Sequence, residues 1–379
     1  MDCLLPDVLD ALSGGPPLEA RMVDAPEGFG RSRPGYERPG TGRKGVYGES
    51  LPFRLDGENF TVQWSDASVD PARAADILAT LESAWTVLVE EERWPAPVSS
   101  DDWLLWVILD PTLGGSGYTT VYATDEFPEG YPVSFVNPAY DPEDPAFGLS
   151  VAVHEFGHML QYKLRDWQLG RGDSWYWEAT SEWIAERAAP TLDTYAESTF
   201  WYAQWPDARF DTLERWHPYG MLLLNAWLDE RAVGFQGIRD VWLAAAGNER
   251  PWDELVAEVT GRDFGEIVAE MATEVAARTL RESPIYDVPA REASHERAPA
   301  WEVLELPGLY GSYFLDIGDG AIEVRGPVLT RFVQDGRVLD EAPVAGPYTA
   351  VITAIGEDGE LEYGTTPPAE DADGPGACG

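Results

Sequence analysis

The chain is poor in cysteine, histidine and lysine. Its 379 residues include two cysteines and four histidines, and Lys44 and Lys163 are the only lysines. The cysteines, Cys3 and Cys378, lie at opposite ends, which excludes a zinc cluster built from neighbouring cysteines and a dense disulfide framework. Cys3 and Cys378 could pair only if the termini meet, and two free thiols are an equally good interpretation.

Long apolar runs are also absent. The longest, such as Trp103 to Leu109, fall far short of the roughly 20 residues of a transmembrane helix, so we expect no membrane span. Basic side chains are scarce too: 67 acidic against 26 basic residues give a net charge of −41. A phosphate backbone would be repelled by most of such a surface, which excludes nucleic acid as a partner.

The beginning of the chain shows no intact secretory signal, because a charged n-region and an apolar h-region are both missing. The acidic charge and the scarcity of lysine nevertheless favour an exported protein. We therefore expect a secreted or cell-surface monomer from which the signal has been removed.

Composition divides the chain into four parts. Residues 1–50 are rich in glycine, proline and arginine and predict an extended arm, which is either a surface strap or an inhibitory pro-segment over a cleft. Residues 51–283 combine strand patterns with long helical patterns. Residues 284–366 contain short β-prone runs that predict a small all-β, sandwich-like domain. The acidic tail, 367–379, is predicted to be disordered, and the whole is of the α+β class.

Local patterns predict the elements of the second part. Apolar residues at helical spacing indicate a helix over Asp70–Glu92, and helical signals dominate from Pro145 to about Leu280. Strands are expected at Asn59–Trp64, Trp103–Leu109 and Tyr131–Val136, the last of them near a sheet edge because of Pro132. Glycine-rich Leu113–Tyr118 is expected to be a loop.

A metal-binding pattern stands out in His154-Glu-Phe-Gly-His158. On a helix, residues four apart lie one above the other, so both imidazoles can reach one metal ion while Glu155 faces a water beside it. The apolar stripe of this helix, from Leu149 to Leu164, does not include the histidines. The pattern therefore predicts a metal site rather than a packing feature.

A third ligand is expected in the next helix. Glu178, Glu182 and Glu186 follow one another at intervals of four, and tryptophans surround them, so an unpaired carboxylate would be costly there. Glu178 is the best candidate for the third ligand. Glu182 fits a supporting role, in which it accepts the outer N–H of a ligand histidine.

Together, His154-Glu-Phe-Gly-His158, the interval to Glu178 and the segment Glu178-Ala-Thr-Ser-Glu182 resemble the gluzincin pattern of thermolysin-like metalloproteases. More narrowly, the sequence is similar to a group of secreted bacterial metalloproteases and to hyicolysin-type peptidases. The resemblance implies a zincin-like catalytic domain, in which a small N-terminal sheet with helices precedes a mainly helical subdomain. It also implies one catalytic Zn²⁺, held by His154, His158 and Glu178.

Two differences from related zinc peptidases limit the classes that the chain resembles. Gln161 and Leu164 stand where a metzincin would have glycine and histidine, and the Gly-x-Met-Glu-Asn motif of aminopeptidase relatives is missing. The resemblance then implies a zinc-dependent endopeptidase with a protein or peptide substrate and Glu155 as general base. Tyr219 and, after it, His217 are the candidates for stabilising the oxyanion, although capping of an apolar helix explains them equally well.

Other interpretations remain open at this point. One is a non-catalytic extracellular binding or adhesive protein that retains zinc as a structural element, although a structural site needs no base such as Glu155. Another is zinc-dependent hydrolysis of some other amide. Calcium at the acidic turns Asp141–Asp144 and Asp316–Asp319 is a weaker expectation than ordinary turns.

Overall fold

The structure is a computed structural model. It describes residues 51–122, 127, 130–139, 144–165, 174–192, 195–214, 216–280, 308–317, 321–343, 346–356 and 360–366, and the short strands at 36–37, 44–45, 291–292 and 302–305. Side chains are described for most of these residues. Among them no helix is long and apolar enough to cross a membrane.

The N-terminal half is built on a five-stranded sheet. Two short strands of the arm, β1 (Tyr36–Glu37) and β2 (Lys44–Gly45), pair with each other. The sheet itself has the order β3-β4-β5-β7-β6. Its strands are β3 (Phe53–Asp56), β4 (Phe60–Trp64), β5 (Leu105–Leu109), β6 (Gly117–Tyr122) and β7 (Tyr131–Val136). The three central strands, β4, β5 and β7, are parallel, and both outer strands are antiparallel to them.

Helices make up most of the chain between this sheet and residue 280. They are α1 (Pro71–Trp85), α2 (Pro145–Tyr162), α3 (Ser174–Ala188), α4 (Tyr195–Gln204), α5 (His217–Gly220), α6 (Leu222–Trp227), α7 (Gly234–Ala245), α8 (Trp252–Thr260) and α9 (Phe264–Ala277). Short π-helical turns extend α1 over Thr86–Glu91 and α6 over Leu228–Ala232. The main core joins one face of the sheet to these helices.

Helix α2, which carries both candidate histidine ligands, begins at a strong local signal. Asp144 accepts hydrogen bonds from the backbone N–H groups of Ala146 and Phe147, and Pro145 occupies the first helical position. The helix is buried along nearly its whole length, between the sheet, α1 and α3. Its polar residues are therefore held inside the protein.

The C-terminal part contains two sheets. One has the order β13-β12-β14-β10-β8 and the other the order β11-β15-β9. Their strands are β8 (Arg291–Glu292), β9 (Glu302–Glu305), β10 (Ser312–Ile317), β11 (Ala321–Arg325), β12 (Val328–Gln334), β13 (Arg337–Leu339), β14 (Tyr348–Ala354) and β15 (Glu360–Thr366). A separate apolar cluster lies within this part. On its other side, β12 and β14 pack against α9.

Mixed helix and sheet confirm the α+β class. One local expectation was wrong in part: the loop expected over Leu113–Tyr118 ends at Ser116, because Gly117 and Tyr118 belong to strand β6. Strand β7 lies next to the outer strand β6, which confirms that it is near a sheet edge. Pro132 is tolerated there because the pairing of β7 with β5 begins only at Val133, so Pro132 is not asked to donate to that ladder.

Candidate metal centre

Helices α2 and α3 pack so closely that their polar side chains meet. Gly157 makes this approach possible, because a β-carbon there would lie 2.9 Å from Ser181 Oγ and 3.3 Å from Ser181 Cα. The glycine of the His-Glu-Phe-Gly-His sequence is thus a contact point between the two helices. The result is that His154 and His158 face Glu178 across the interface.

Three atoms converge at one point. His154 Nε2 lies 3.1 Å from His158 Nε2 and 3.1 Å from Glu178 Oε2, and His158 Nε2 lies 3.5 Å from the same oxygen. A tetrahedral zinc ion with bonds of about 2.05 Å requires its ligand atoms to be about 3.3 Å apart. The triangle has the size that one small metal ion needs, and these three residues could hold a metal.

The outer nitrogen of each histidine faces an acceptor. Gln161 Nε2 donates to the backbone carbonyl of Trp177, which turns Gln161 Oε1 toward His158 Nδ1 at 2.7 Å. Ser181 Oγ lies 3.1 Å from the same nitrogen. For His154, the atom facing Nδ1 is Glu182 Oε1, at 3.2 Å. With the proton on each Nδ1, which these oxygens favour, both Nε2 atoms present lone pairs.

In this tautomer, the three atoms that converge are all hydrogen-bond acceptors. Two imidazole lone pairs and a carboxylate oxygen repel one another unless a cation lies between them. His154, His158 and Glu178 are only 4%, 1% and 3% exposed, so bulk water does little to relieve the repulsion. The donor set fits a metal ion, and the chemistry of these side chains supports the sequence-based assignment of the three ligands.

A proton is the other cation that this point accepts. Burial by itself lowers the pKa of His154, but Glu178 and Glu182 outweigh it and raise that pKa well above its usual range. Burial favours the neutral form of Glu178, yet the facing His158 and His154 lower its pKa to about 2. The cluster is thus arranged to hold positive charge beside an ionised carboxylate.

Glu155 lies fully buried on the side of α2 that faces the sheet. Thr119 Oγ1, on β6, lies 2.7 Å from Glu155 Oε2 and 2.7 Å from Ser134 Oγ, on β7. A β-carbon at Gly117 would approach within 3.0 Å of Glu155 Oε1, so the glycine leaves room for the carboxylate. The candidate base is therefore held against the antiparallel edge strand.

The two candidate oxyanion groups occupy different places. The Tyr219 ring is nearly parallel to the His154 ring, with centroids 6.0 Å apart, so Tyr219 borders the metal cluster. The His217 ring instead faces Tyr202, at 6.3 Å. His217 is buried, its ring nitrogens make no hydrogen bond within the described part of the chain, and burial lowers its pKa to about 4. Position favours Tyr219 over His217.

Sequence reasoning named four residues that the structure brings together, His154, His158, Glu178 and Glu182, and a fifth, Glu155, whose carboxylate contacts Thr119 on β6. It missed three residues that support them. Gln161 was recognisable in principle, because it lies one helical turn after His158, whereas Ser181 and Thr119 depend on tertiary packing.

Other sequence predictions lie partly or wholly outside the described residues. Cys3, Cys378 and the predicted tail belong to that part, as does the arm apart from β1 and β2. Of the acidic turns considered for calcium, Asp144 caps α2 and Asp316 accepts a hydrogen bond from Thr349, while the remaining residues of both turns except Ile317 are not described.

Comparison with known proteins gives a family without an assigned activity. Residues 56–298 match the model of a family of unknown function, DUF6055. This match covers more than half of the chain and includes the whole candidate metal centre. No curated protein matches the sequence.

Proposed function

We propose that this chain, which belongs to the DUF6055 family, is a zinc-dependent endopeptidase with a zincin-like catalytic domain. The observation that carries the proposal is the meeting of three acceptor atoms, from His154, His158 and Glu178, at separations of 3.1 to 3.5 Å. Glu155 follows His154 directly in the chain and supplies a carboxylate that is not needed as a ligand. Ligands alone would suit a structural site, whereas ligands with an adjacent base suit catalysis.

Zinc is the metal that this donor set favours. Two imidazoles and one carboxylate are typical of catalytic zinc, which uses three protein ligands and keeps one position for water. Calcium and magnesium prefer oxygen atoms only, and the present site offers a single carboxylate oxygen. Among the described residues, no other group of three metal-binding side chains comes together.

The residues around the cluster have complementary tasks. When bound, zinc would supply a Lewis acid that lowers the pKa of water and polarises a carbonyl group. The Glu155 carboxylate would take a proton from the attacking water and pass it to the leaving nitrogen of the peptide bond. Thr119 would hold that carboxylate in place through its hydroxyl group. Tyr219 would donate a hydrogen bond to the oxygen that becomes negative.

A peptide substrate fits the surroundings of Glu155. Strand β6 is an outer strand of the N-terminal sheet among the described strands. An extended peptide could add to this edge as a further strand. Because Thr119 of β6 contacts Glu155, a peptide bound there would run past the candidate base. An internal peptide bond is then as accessible as a terminal one, which favours an endopeptidase.

The second candidate is a non-catalytic binding protein with a structural metal. The burial of the three ligands favours it, since structural sites are closed to solvent. A closed zinc site, however, usually has four protein ligands, and the described residues provide three. We therefore place this function second.

The test combines metal analysis with hydrolysis of unstructured casein. We expect about one zinc per chain and cleavage that disappears on chelation and in Glu155→Gln, while Glu155→Gln still binds zinc. Glu90→Gln is the matched control, since it removes an exposed carboxylate that is distant in sequence from Glu155. Bound zinc with no cleavage by the wild-type protein would favour the structural role, and absence of zinc would contradict the ligand assignment.

A further inference from the structure

An aromatic ledge leads away from the candidate metal centre. It consists of Tyr219, Trp216 and Trp201, whose rings follow one another from His154 at centroid distances of 6.0, 5.9 and 6.1 Å. These three form an apolar cluster of their own, apart from the main core. None of them is a metal ligand or the candidate base, so the proposed chemistry leaves Trp216 and Trp201 without a role.

Exposure increases along the ledge. Tyr219, nearest the metal ligands, is 1% exposed, whereas Trp216 and Trp201 are only partly buried. Part of each tryptophan ring is therefore accessible to another molecule. A row of rings that begins at a metal ligand and reaches solvent has the form of a binding surface.

The fold ties the ledge to the metal ligands. Ser198, on α4, donates a hydrogen bond to Glu182 Oε2, and Glu182 Oε1 lies 3.2 Å from His154 Nδ1. Trp201 follows Ser198 by three residues and therefore lies on the same side of α4. Helix α5 approaches α4 closely at Gly220, where a β-carbon would lie 2.3 Å from the backbone nitrogen of Tyr202. This approach brings Trp216 and Tyr219 to Trp201.

Trp216 adopts a backbone conformation that is unfavourable for its residue type. Its φ and ψ are 62° and 10°, in the left-handed region that suits glycine or asparagine and is rare for bulky residues. Conformations of this kind cost free energy and cluster at functional sites. The partly buried Trp216 ring is held there against Tyr219, which borders the candidate metal centre.

We infer that the aromatic ledge binds the aromatic or large apolar side chain of a substrate residue next to the cleaved bond. The inference rests on the proposed peptidase function and names the class of peptide that it acts on. A phenylalanine, tyrosine or leucine side chain can pack against the Trp216 and Trp201 rings while the backbone lies beside β6. Neither ring carries a charge, so the ledge selects for shape and apolar surface rather than for a charged residue.

The first experiment compares cleavage sites and peptide rates. Sites in casein are mapped for the wild-type protein, and a peptide around the most frequent site is made in two forms, with its flanking aromatic or apolar residue retained or replaced by alanine. The ratio of kcat/KM for the two peptides is measured in the wild type, Trp201→Ala and Trp216→Asn. We expect the ratio to fall about threefold to tenfold in both variants. Trp205→Ala, directly after α4 and outside the ledge, should leave it unchanged.

Trp216→Asn separates binding from folding. Asparagine tolerates the left-handed conformation, so this variant should unfold at the same or a higher temperature than the wild type while losing selectivity. A lower melting temperature with equal loss of kcat/KM for both peptides would mean that Trp216 only supports the fold. That result, or a casein map with no aromatic or large apolar residue beside the cleaved bonds, would overturn the inference.

A binding measurement keeps this inference distinct from the proposed activity. Two peptides that differ only in a central phenylalanine or alanine, and that are chosen without the cleavage map, are titrated into the Glu155→Gln protein, which should bind them without cleavage, and into the same protein with Trp201→Ala added. We expect threefold to tenfold tighter binding of the aromatic peptide, lost in the double variant. If this holds but the wild type cleaves nothing, the peptidase proposal fails alone. Equal binding of both peptides would refute the ledge as a peptide site. Binding of the sugar chain maltoheptaose instead of peptide would also refute it, because the ledge would then be a carbohydrate-binding surface.

Discussion

Buried histidines occur in two regions of this protein with opposite surroundings. In the candidate metal centre, each outer nitrogen of His154 and His158 lies within 3.2 Å of an oxygen, and each inner nitrogen faces the same point. In the segment formed by α5 and α6, the ring of His217 and the amide of Asn225 are fully buried, but within the described part of the chain their polar atoms make no hydrogen bonds.

These two surroundings distinguish a candidate binding site from a feature of core packing. Burial acts in the same direction on both histidines, since it disfavours the charged form. In the metal centre, two carboxylates reverse that effect and raise the pKa of His154, whereas nothing opposes burial at His217, whose pKa falls to about 4. The candidate metal centre is distinguished by the carboxylates placed around its histidines, rather than by burial or by residue type.

The largest expected effect comes from removing the carboxylate of the cluster. Glu178→Gln keeps the shape of the side chain but leaves a neutral amide facing two lone pairs, so zinc should bind far more weakly. If each of three ligands supplies about a third of the binding free energy of a structural zinc ion, the loss is about 3–5 kcal/mol, or roughly 10²- to 10⁴-fold in affinity. Competition with a chelator of known affinity measures it.

The same titration on Glu90→Gln serves as the control for the loss of one negative charge. An unchanged zinc affinity in Glu178→Gln would show that a different group, such as Glu182, is the third ligand. In that case the acceptor atoms would not converge on the point between His154, His158 and Glu178. The contrast with the His217 region would then be lost.

The second prediction concerns the pH dependence of stability at His217. Its folded pKa of about 4 lies below the unfolded value of 6.5, so the unfolded chain takes up the proton first as the pH falls. The contribution is complete above pH 6.5 and is lost as the pH falls toward 4, which amounts to about 3 kcal/mol. In His217→Phe this component should vanish. Urea unfolding of both proteins between pH 7 and pH 4 measures the difference.

Subtracting the two curves removes the titration of the metal ligands, which is common to both proteins. Parallel curves would show that His217 is paired or charged in the folded state. His217 would then have partners in the folded state, as His154 has, and the two histidine environments would be alike.

The third prediction concerns the support of His158. Gln161→Ala removes the acceptor that fixes the Nδ1 proton, so zinc affinity should fall about 10- to 100-fold, as is usual for partners of ligand histidines. Ser181→Ala should have a smaller effect, because its oxygen lies 3.1 Å from Nδ1 whereas the Gln161 oxygen lies 2.7 Å away. Equal effects of the two variants would show that the serine shares the role.

Much of the candidate metal centre could be predicted from sequence because its signals are local. His154 and His158 are one helical turn apart, and Glu178 and Glu182 repeat that interval on the next helix. The contact between Thr119 and Glu155 could not be predicted, since it spans 36 residues and depends on the position of β6 at the edge of the sheet.

Backbone geometry limited the prediction elsewhere. The sequence gives no sign that Trp216 adopts a positive φ, because propensity argues against it there. Pro132 indicated a strand near a sheet edge, but not that only one of the two pairings of β7 extends to that residue. Such features follow from how elements meet rather than from the residues within them.

The smallest expected effect is a gain in stability at Asn225. Its amide is fully buried among apolar residues of α6, and neither its nitrogen nor its oxygen has a hydrogen-bond partner in the described part of the chain. Leucine has the same branching without polar atoms, so Asn225→Leu should raise the free energy of unfolding by about 1–2 kcal/mol. Urea unfolding at pH 7 measures the gain, and zinc affinity should not change. A loss of stability would mean that a buried water pairs the amide, and the α5–α6 segment would then be as fully satisfied as the metal centre.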